Sequence, residues 1–520
     1  MGDASDVVDF ALANTTEEEE WSECGYGERG DSQPHTHRHR EVVQLGDQTF
    51  NVNARYHITG LLGNGAYGVV VKARDTLEDR DVAIKKCVGI FRSRVIATRS
   101  LREIKLLQFL DHENVVKILD LDIPSDLDNF QDLYIVLEMV PANLESVIQS
   151  SFEYSLEHIQ FFFHQLCQAM QYVHAANVLH RDLKSSNVLV SLDCDVKLCD
   201  FGLARDDCSH HHHKTEYTVS RFWRPPEILL RDPQYSKAAD VWSAGLIFLE
   251  LFNRRPIFRG QNSEHQLRLI CDQYWGTPCE EDFTDGAHVE LVNQLLQTPP
   301  SSRKNIRSLL SNPNLVMSPE AADLAERMLQ FHPAKRISFE EALLHPYFSD
   351  LELPPEISET VEQFSTEYEE DAHTEEAMRA LFLQEISNFH PEIIPFLADR
   401  LYCGNEVPFD VDRFPALQNF LEHGGRTRGE GDPLQLHPYP FQEESTPMSM
   451  PVCGDSAEVF VEDAGQAPSC AVSEQNGVCA IGEHSGCDFG WGGESPQLFN
   501  CLPENMFGED SMDVDYEDGS

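Results

Sequence analysis

The sequence is poor in basic residues for its size. Among 520 residues, Lys and Arg total 39 against 88 Asp and Glu, which gives a formal net charge of −49 at pH 7. A protein of this charge repels nucleic-acid phosphates and anionic lipid headgroups. We therefore expect neither nucleic acid nor a membrane surface among its partners.

Long apolar runs and export features are also missing. No apolar segment approaches the roughly 20 residues that span a bilayer, and the nearest candidate, 241–252, contains Glu250. The N-terminus lacks the basic and apolar regions of a secretory signal, and the 14 cysteines include no Cys-x-x-Cys pair. These features predict reduced thiols and a cytoplasmic and nuclear location.

The two ends of the chain differ in composition from its middle. Residues 1–50 show no apolar periodicity, which predicts a disordered N-terminal arm. Residues 424–520 contain no Lys or Arg after Arg428 and are rich in Gly, Pro, Ser and acids, which predicts a disordered acidic tail.

The middle of the chain changes from strand-like to helix-like patterns. Short β-rich runs lie at 58–62, 69–73, 82–84, 116–119 and 133–137. Beyond Asn143 helical spacing dominates, with further helices predicted near 237–252, 320–330 and 339–344 and one more amphipathic helix at 375–389. The pattern predicts an α+β fold with a small β-rich part and a larger helical part.

A glycine-rich run lies between the first two predicted strands, with the sequence Gly63-Asn64-Gly65-Ala66-Tyr67-Gly68. Glycines allow backbone amides to approach phosphate oxygens, although the run alone also fits a plain hairpin. Lys85, seventeen residues after Gly68, places a cation on a strand, and Glu103 on the following helix can supply its counter-ion. Together they suit a bound triphosphate.

Two further segments supply carboxylates. They are His180-Arg181-Asp182-Leu183-Lys184-Ser185-Ser186-Asn187 and Asp200-Phe201-Gly202. Asp182 is a candidate base that orients and deprotonates an attacking hydroxyl, while Asn187 and Asp200 are candidate Mg²⁺ ligands on the phosphates. The five elements are the glycine-rich run, Lys85, Glu103 and the two segments just given. Their occurrence in this order is a specific signal for phosphoryl transfer.

The order and spacing of these elements resemble the protein kinase family over roughly residues 56–391. The resemblance implies a bilobal kinase fold in a domain at 56–348, with a β-rich N-lobe at 56–139, a helical C-lobe at 140–348 and an extension at 349–391. It implies ATP and Mg²⁺ as cofactors and Asp182, Lys184, Lys85 and Glu103 as catalytic residues. The implied ATP-binding residues are Leu62, Gly63, Asn64, Gly65, Ala66, Tyr67, Gly68, Val70, Ala83, Lys85, Leu137, Glu138, Met139 and Leu189.

Thr215-Glu216-Tyr217 lies between Asp200-Phe201-Gly202 and Arg224-Pro225-Pro226-Glu227, and in this place it resembles the mitogen-activated protein kinases. The resemblance implies that an upstream dual-specificity MAP kinase kinase phosphorylates Thr215 and Tyr217. Each phosphate adds about −1.5 to −2 charge near pH 7. The basic residues expected to bind them are Arg181, Arg205 and one of Arg99 or Arg102 for Thr215, and Arg221 and Arg224 for Tyr217.

The same resemblance implies partners. They are Ser/Thr-Pro protein substrates, with Arg224 shaping the proline pocket, and phosphatases, acting on a monomeric kinase. Asp350, Glu352 and Glu356, which follow a His-Pro-Tyr motif, would receive basic docking motifs, although in so acidic a flank they equally fit plain solvated charge. Residues 119–123 and 193–199 are similar to fungal cell-wall-integrity kinases.

Some positions depart from the family pattern, and some readings stay open. Ser185 replaces a frequent proline, Phe222-Trp223 replaces a Trp-Tyr pair, and Asn143 stands where many relatives have Asp. A related kinase activated by a partner or by itself, and a non-enzymatic scaffold that binds through its tail, are the alternative functions. The tract 210–213, four histidines beside Cys208, is either a flexible polar loop or a zinc site.

Overall fold

The computed structural model describes residues 40–65, 68–207, 220–232, 236–351, 361–370 and 374–397. Within them the strands come first and most helices later, as the sequence predicts. The strands are β1 (Arg40–Leu45), β2 (Gln48–Asn53), β3 (Tyr56–Gly65), β4 (Gly68–Asp75), β5 (Arg80–Cys87), β6 (Ile118–Leu121), β7 (Leu133–Glu138), β8 (Ala142–Asn143), β9 (Val178–Leu179), β10 (Val188–Val190), β11 (Val196–Leu198) and β12 (Arg205–Asp206).

The first lobe is built on a five-stranded antiparallel sheet in the order β3-β4-β5-β7-β6. Successive side chains of a strand point to opposite faces, so Val69, Val71 and Ala73 of β4 are buried while their neighbours are only partly covered. Ala83 and Lys85 of β5 therefore share one face of the sheet. This register decides which side chains can reach a ligand beneath the sheet.

The second lobe is mostly helical. The α-helices found among the described residues of both lobes are α1 (Arg94–Phe109), α2 (Leu144–Gln149), α3 (Leu156–Ala175), α4 (Pro226–Leu229), α5 (Lys237–Asn253), α6 (Ser263–Ile270), α7 (Val289–Leu296), α8 (Pro319–Met328), α9 (Phe339–Leu343) and α10 (Glu375–Phe389). The second lobe is centred on α5, whose Trp242 and Phe248 are fully buried, and α5 contacts α3 and α8. The predicted two-lobed α+β fold is confirmed.

The C-terminal helix α10 returns to the first lobe. Its Met378, Phe382 and Ile386 share a core with Leu101 and Ile104 of α1, the helix that packs on the sheet. The α10 helix thus completes the first lobe and covers one side of α1.

Residues 40–50, predicted as part of a disordered arm, require a correction. They belong to a hairpin in which β1 pairs with β2 through a two-residue loop at Gly46 and Asp47, where Gly46 has a φ of +55°. The hairpin is anchored because Phe50 is fully buried and Lys86 donates to the Thr49 carbonyl at 2.7 Å. Residues 1–39 and the tail after residue 397 lie outside the described residues.

In the part of the chain that the structure describes, no helix is both long enough and apolar enough to cross a membrane.

Candidate active site

The centre of the site is an ion-pair chain between the two lobes. The Lys85 Nζ lies 2.6 Å from Glu103 Oε1 of α1 and 3.5 Å from Asp200 Oδ1. Burial opposes the charge of Lys85, but the two carboxylates outweigh it and raise its pKa well above the usual value. Burial likewise opposes ionisation of Asp200, yet the charges of Lys85 and Lys184 lower its pKa. The site therefore holds a cation beside a carboxylate that stays ionised.

Apolar side chains of the sheet lie beside the Lys85–Glu103 ion pair. Ala83 pairs with Leu137 across β5 and β7, and Val70 pairs with Lys85 across β4 and β5, while Leu189 of β10 lies in the other lobe. Glu138 ends β7, and its carboxylate accepts from the Lys117 amide at 2.7 Å. Met139 follows it in the connection between the lobes.

The glycine-rich run spans the end of β3 and the start of β4. Leu62, Gly63, Asn64 and Gly65 lie in β3, and Ala66 and Tyr67 lie outside the described residues. Gly68 has a φ of +146°, and a Cβ there would lie 2.2 Å from the Lys86 carbonyl oxygen. Only glycine fits this position, because both the backbone angle and the space exclude a side chain.

The segment 180–187, called the catalytic loop below, lies across from the sheet. The Asp182 carboxylate is 2% exposed; it accepts from Lys184 Nζ at 3.0 Å and from the Ser220 amide at 3.2 Å. Arg181 has a left-handed backbone, with a φ of +68°. Asp240 of α5 holds this turn, since its carboxylate accepts from the amides of His180 and Arg181 at 2.9 Å each. The conformation is thus fixed from the core of the second lobe.

Two oxygen ligands for a metal lie beside the base. The Asn187 side-chain nitrogen donates to the Asp182 carbonyl at 2.9 Å, which leaves its amide oxygen as the atom to face a ligand. The side chain of Asp200 is 22% exposed, and its backbone is left-handed, with a φ of +63°. An amide oxygen with an ionised carboxylate is a donor set that suits a hard divalent cation.

Comparisons with known proteins agree with this geometry. The model of the protein kinase domain matches residues 56–348. The chain is 42% identical over 350 residues to mitogen-activated protein kinase 6 of Arabidopsis thaliana, covering 66% of this chain and 85% of the relative. It is also 42% identical over 344 residues to mitogen-activated protein kinase 1 of Oryza sativa subsp. japonica, with the same two shares.

The chain belongs to the mitogen-activated protein kinases. A third relative, extracellular signal-regulated kinase 1 of Dictyostelium discoideum, is 41% identical over 345 residues, and the match covers 64% of its length. This protein is accordingly a serine/threonine protein kinase, and the predicted family and enzyme class are confirmed.

A kinase of this type uses ATP and a divalent metal, and the site fits both. Gly68, at the start of β4, has no room for a side chain, so its backbone can approach a phosphate. Lys85 would supply the cation for the phosphates, and Asn187 and Asp200 would supply the metal ligands. When bound, the metal would neutralise charge on the phosphates during transfer. Asp182 would orient the acceptor hydroxyl, and Lys184, 3.0 Å from it, would stay beside the reacting groups.

Three of the arginines expected near Thr215, namely Arg99, Arg102 and Arg205, lie close enough to influence one another. Arg102 is 2% exposed and forms an ion pair with Glu369, which lies in a short 3₁₀ turn before α10, with an Nε to Oε1 distance of 2.7 Å. Burial and the positive charges of Arg102 and Arg99 lower the pKa of Arg205, although Glu369 opposes this. Arg99, Arg102 and Arg205 therefore form one basic cluster. Thr215 and Tyr217 lie outside the described residues.

Two more arginines lie in the segment before α4. Arg221 donates to the Gly260 carbonyl at 3.3 Å, and Arg224 is 7% exposed. Glu227, at the start of α4, forms a buried bidentate pair with Arg336, with two nitrogen–oxygen distances of 2.6 Å.

The predicted docking residues are only partly described. Asp350 is exposed and follows the 3₁₀ turn Pro346–Phe348, whose Tyr347 carbonyl accepts from Gln160 at 2.5 Å. Glu352 and Glu356 lie outside the described residues, as does the histidine tract at 210–213.

Two acidic residues of the extension escape prediction from the sequence. Glu369 pairs with Arg102, and Glu385 of α10 pairs with Lys105 of α1. Both stand in a strongly acidic flank, where no local pattern separates a paired carboxylate from a solvated one. Only the packing of α10 on α1 shows that they hold the helix that carries Glu103.

Proposed function

We propose that this kinase is switched on by phosphorylation of Thr215 and Tyr217 and then transfers the γ-phosphate of Mg·ATP to Ser or Thr before Pro. The observation that carries the proposal is the assembled chain of Glu103, Lys85 and Asp200 next to Asp182. These are side-chain types that phosphoryl transfer uses, and Lys85 lies within reach of both of its carboxylate partners.

The basic cluster supports the switch. Burial and the repulsion from the positive charges of Arg102 and Arg99 lower the pKa of Arg205, while the carboxylates of Glu369 and Asp206 oppose this. A phosphate carrying about −1.5 to −2 charge would relieve this repulsion more strongly than one carboxylate. Arg181, from the same turn as Asp182, would join the phosphate to the catalytic loop.

The proposal includes partners and location. An upstream dual-specificity kinase would add the two phosphates and phosphatases would remove them. Substrates would carry basic docking motifs for Asp350, Glu352 and Glu356. The kinase would act as a monomer in cytoplasm and nucleus.

The test is phosphate transfer by the full-length protein. The purified kinase is phosphorylated with a constitutively active MAP kinase kinase and assayed with Mg·ATP and a Ser-Pro peptide, with a matched Ser-Ala peptide as control. The variant Thr215→Ala/Tyr217→Phe tests the switch, and Asp182→Asn sets the background. We expect fast transfer only from dually phosphorylated wild type to the Ser-Pro peptide.

Other results would contradict separate parts of the proposal. Equal activity of wild type and the double variant would contradict the phosphorylation switch and favour a kinase activated by a partner or by itself. Equal use of both peptides would remove proline direction. No transfer above Asp182→Asn would favour the scaffold alternative.

A further inference from the structure

Two departures from the family pattern meet at one buried carboxyl group. Ser185, which replaces a frequent proline, donates its hydroxyl to Glu250 Oε1 at 3.2 Å. Trp223, which stands where the second residue of a Trp-Tyr pair is usual, donates its indole N–H to Glu250 Oε2 at 3.1 Å. Each oxygen of Glu250 thus receives one hydrogen bond from a different loop.

The two donors come from the loops that carry the chemistry and the specificity. Ser185 directly follows Lys184 and opens the 3₁₀ turn Ser185–Asn187, which ends at the metal ligand Asn187. Trp223 ends the 3₁₀ turn Arg221–Trp223 and directly precedes Arg224, the residue expected to shape the proline pocket. Glu250 lies on α5, the rigid core helix between them.

These hydrogen bonds are fully buried, so their loss is not compensated by water. Ser185 is 0% exposed, Glu250 1% and Trp223 7%. A buried carboxyl oxygen that loses its donor bears the full desolvation cost of that atom. A second link joins the same loops on the other side, because the Ser220 amide donates to Asp182 Oδ1 at 3.2 Å.

We propose that Glu250 is a positioning residue. Through Ser185 and Trp223 it fixes the position of the catalytic loop (residues 180–187) relative to the proline-pocket loop (residues 220–224). Its effect on turnover rests on the proposed function, since the substrate that spans both loops is a Ser-Pro peptide. Ser185 and Trp223 would thus affect peptide binding indirectly, through Glu250 and their chain neighbours Lys184 and Arg224.

The first test is a kinetic cycle in the dually phosphorylated kinase. Ser185→Ala and Trp223→Phe each remove one donor, and one hydrogen bond corresponds to a change of about twofold to tenfold. We expect each to raise the peptide KM by that factor and to leave the ATP KM within twofold. The double variant should be no worse than the more severe single variant, because both act through one carboxyl group.

The second test does not need activity. Hydrogen–deuterium exchange should show a reciprocal effect, in which Ser185→Ala accelerates exchange at 221–224 and Trp223→Phe accelerates it at 185–187. Ser387→Ala is the matched control, since this buried serine on α10 donates its hydroxyl to the Gln384 carbonyl of its own helix at 2.7 Å. Ser185→Pro, which restores the frequent family residue, should behave like Ser185→Ala.

Each outcome decides the inference. The inference is wrong if hydrogen–deuterium exchange becomes faster only in the mutated loop. It is also wrong if the changes in peptide KM of the two single variants multiply in the double variant, or if the peptide KM is unchanged although exchange responds in both loops. If wild type phosphorylates no Ser-Pro peptide, the proposed function fails, while the exchange result still decides whether Glu250 links the two loops.

Discussion

The protonation of Glu250 should leave a measurable mark on stability. Burial raises the pKa of Glu250 to about 8; the nearby Glu145 carboxylate adds to this, and the hydrogen bonds from Trp223 and Ser185 oppose it. In the unfolded chain the same carboxyl has its ordinary pKa of 4.5. Between these values the folded protein holds a proton that the unfolded chain has released.

The sign and size follow from proton linkage. Because the folded state binds the extra proton, its free energy of unfolding falls as pH rises through this interval, by about 1.4 kcal/mol per pH unit. Below about pH 4.5 both states are protonated and the contribution of the group to the slope vanishes. From pH 5.5 to 7.5 the loss amounts to about 2.5 kcal/mol, reduced slightly because the upper end approaches the folded pKa.

Glu250→Gln isolates this contribution. The amide resembles the protonated carboxyl, since its oxygen can accept from Trp223 and its nitrogen can donate to the Ser185 hydroxyl. We expect the variant to be close to wild type at pH 5.5 and about 2.5 kcal/mol more stable relative to it at pH 7.5. Glu264→Gln, which changes an exposed carboxylate on α6, is the surface control.

The assay is urea unfolding followed by circular dichroism at pH 5.5, 6.5 and 7.5. The difference in free energy of unfolding between Glu250→Gln and wild type is the quantity that decides. A difference that stays constant across the three pH values would refute the reasoning, because it would mean that Glu250 titrates alike in the folded and unfolded states.

Three further predictions test the fold and the site. Arg336→Ala leaves its buried carboxylate partner unpaired and should cost about 3–5 kcal/mol of stability in urea unfolding, whereas Arg268→Ala, in an exposed pair on α6, should cost about 0.3–0.5 kcal/mol; equal losses would contradict this. Phe382→Ala should cost about 3–5 kcal/mol if α10 is part of the core, and a loss below 1 kcal/mol would contradict that. Glu103→Gln should lower kcat/KM about tenfold to a hundredfold because Lys85 loses a charged partner, and an unchanged pH 7.5 rate would argue against the ion pair.

Local signals were sufficient to predict most of the fold. Alternation of apolar residues marks β4 and β5, and helical spacing marks α10 at the residues where the structure has it. The Lys85–Glu103 contact was also predictable, because a lysine in an apolar strand needs a counter-ion and one helix was available to supply it. These features are encoded within short stretches of sequence.

The features that sequence reasoning missed have two causes. The β1–β2 hairpin had a local signal, a Gly-Asp pair between two short strands, but residues 1–50 taken together show no apolar periodicity, and this suggested disorder. Glu369, Glu385 and the partners of Glu250 had none, because each contact joins residues far apart in the chain. Ser185 and Trp223 were recognised only as substitutions, and their common partner becomes visible once α5 is placed between the two loops.

The two ion pairs between α1 and the extension lead to a last prediction about the switch. Glu369 pairs with Arg102 and Glu385 with Lys105, so α1 is held in place by residues outside 208–219, and Glu103 already reaches Lys85. If this attachment positions α1, the two phosphates are not needed to build the nucleotide site. The unphosphorylated Thr215→Ala/Tyr217→Phe variant should then bind a fluorescent ATP analogue within about twofold of the dually phosphorylated wild type, an energy difference of about 0.4 kcal/mol. Glu369→Gln/Glu385→Gln should weaken nucleotide binding in the same assay. A tenfold loss of nucleotide affinity in the phosphosite variant alone would show instead that the phosphates, and not the extension, place α1.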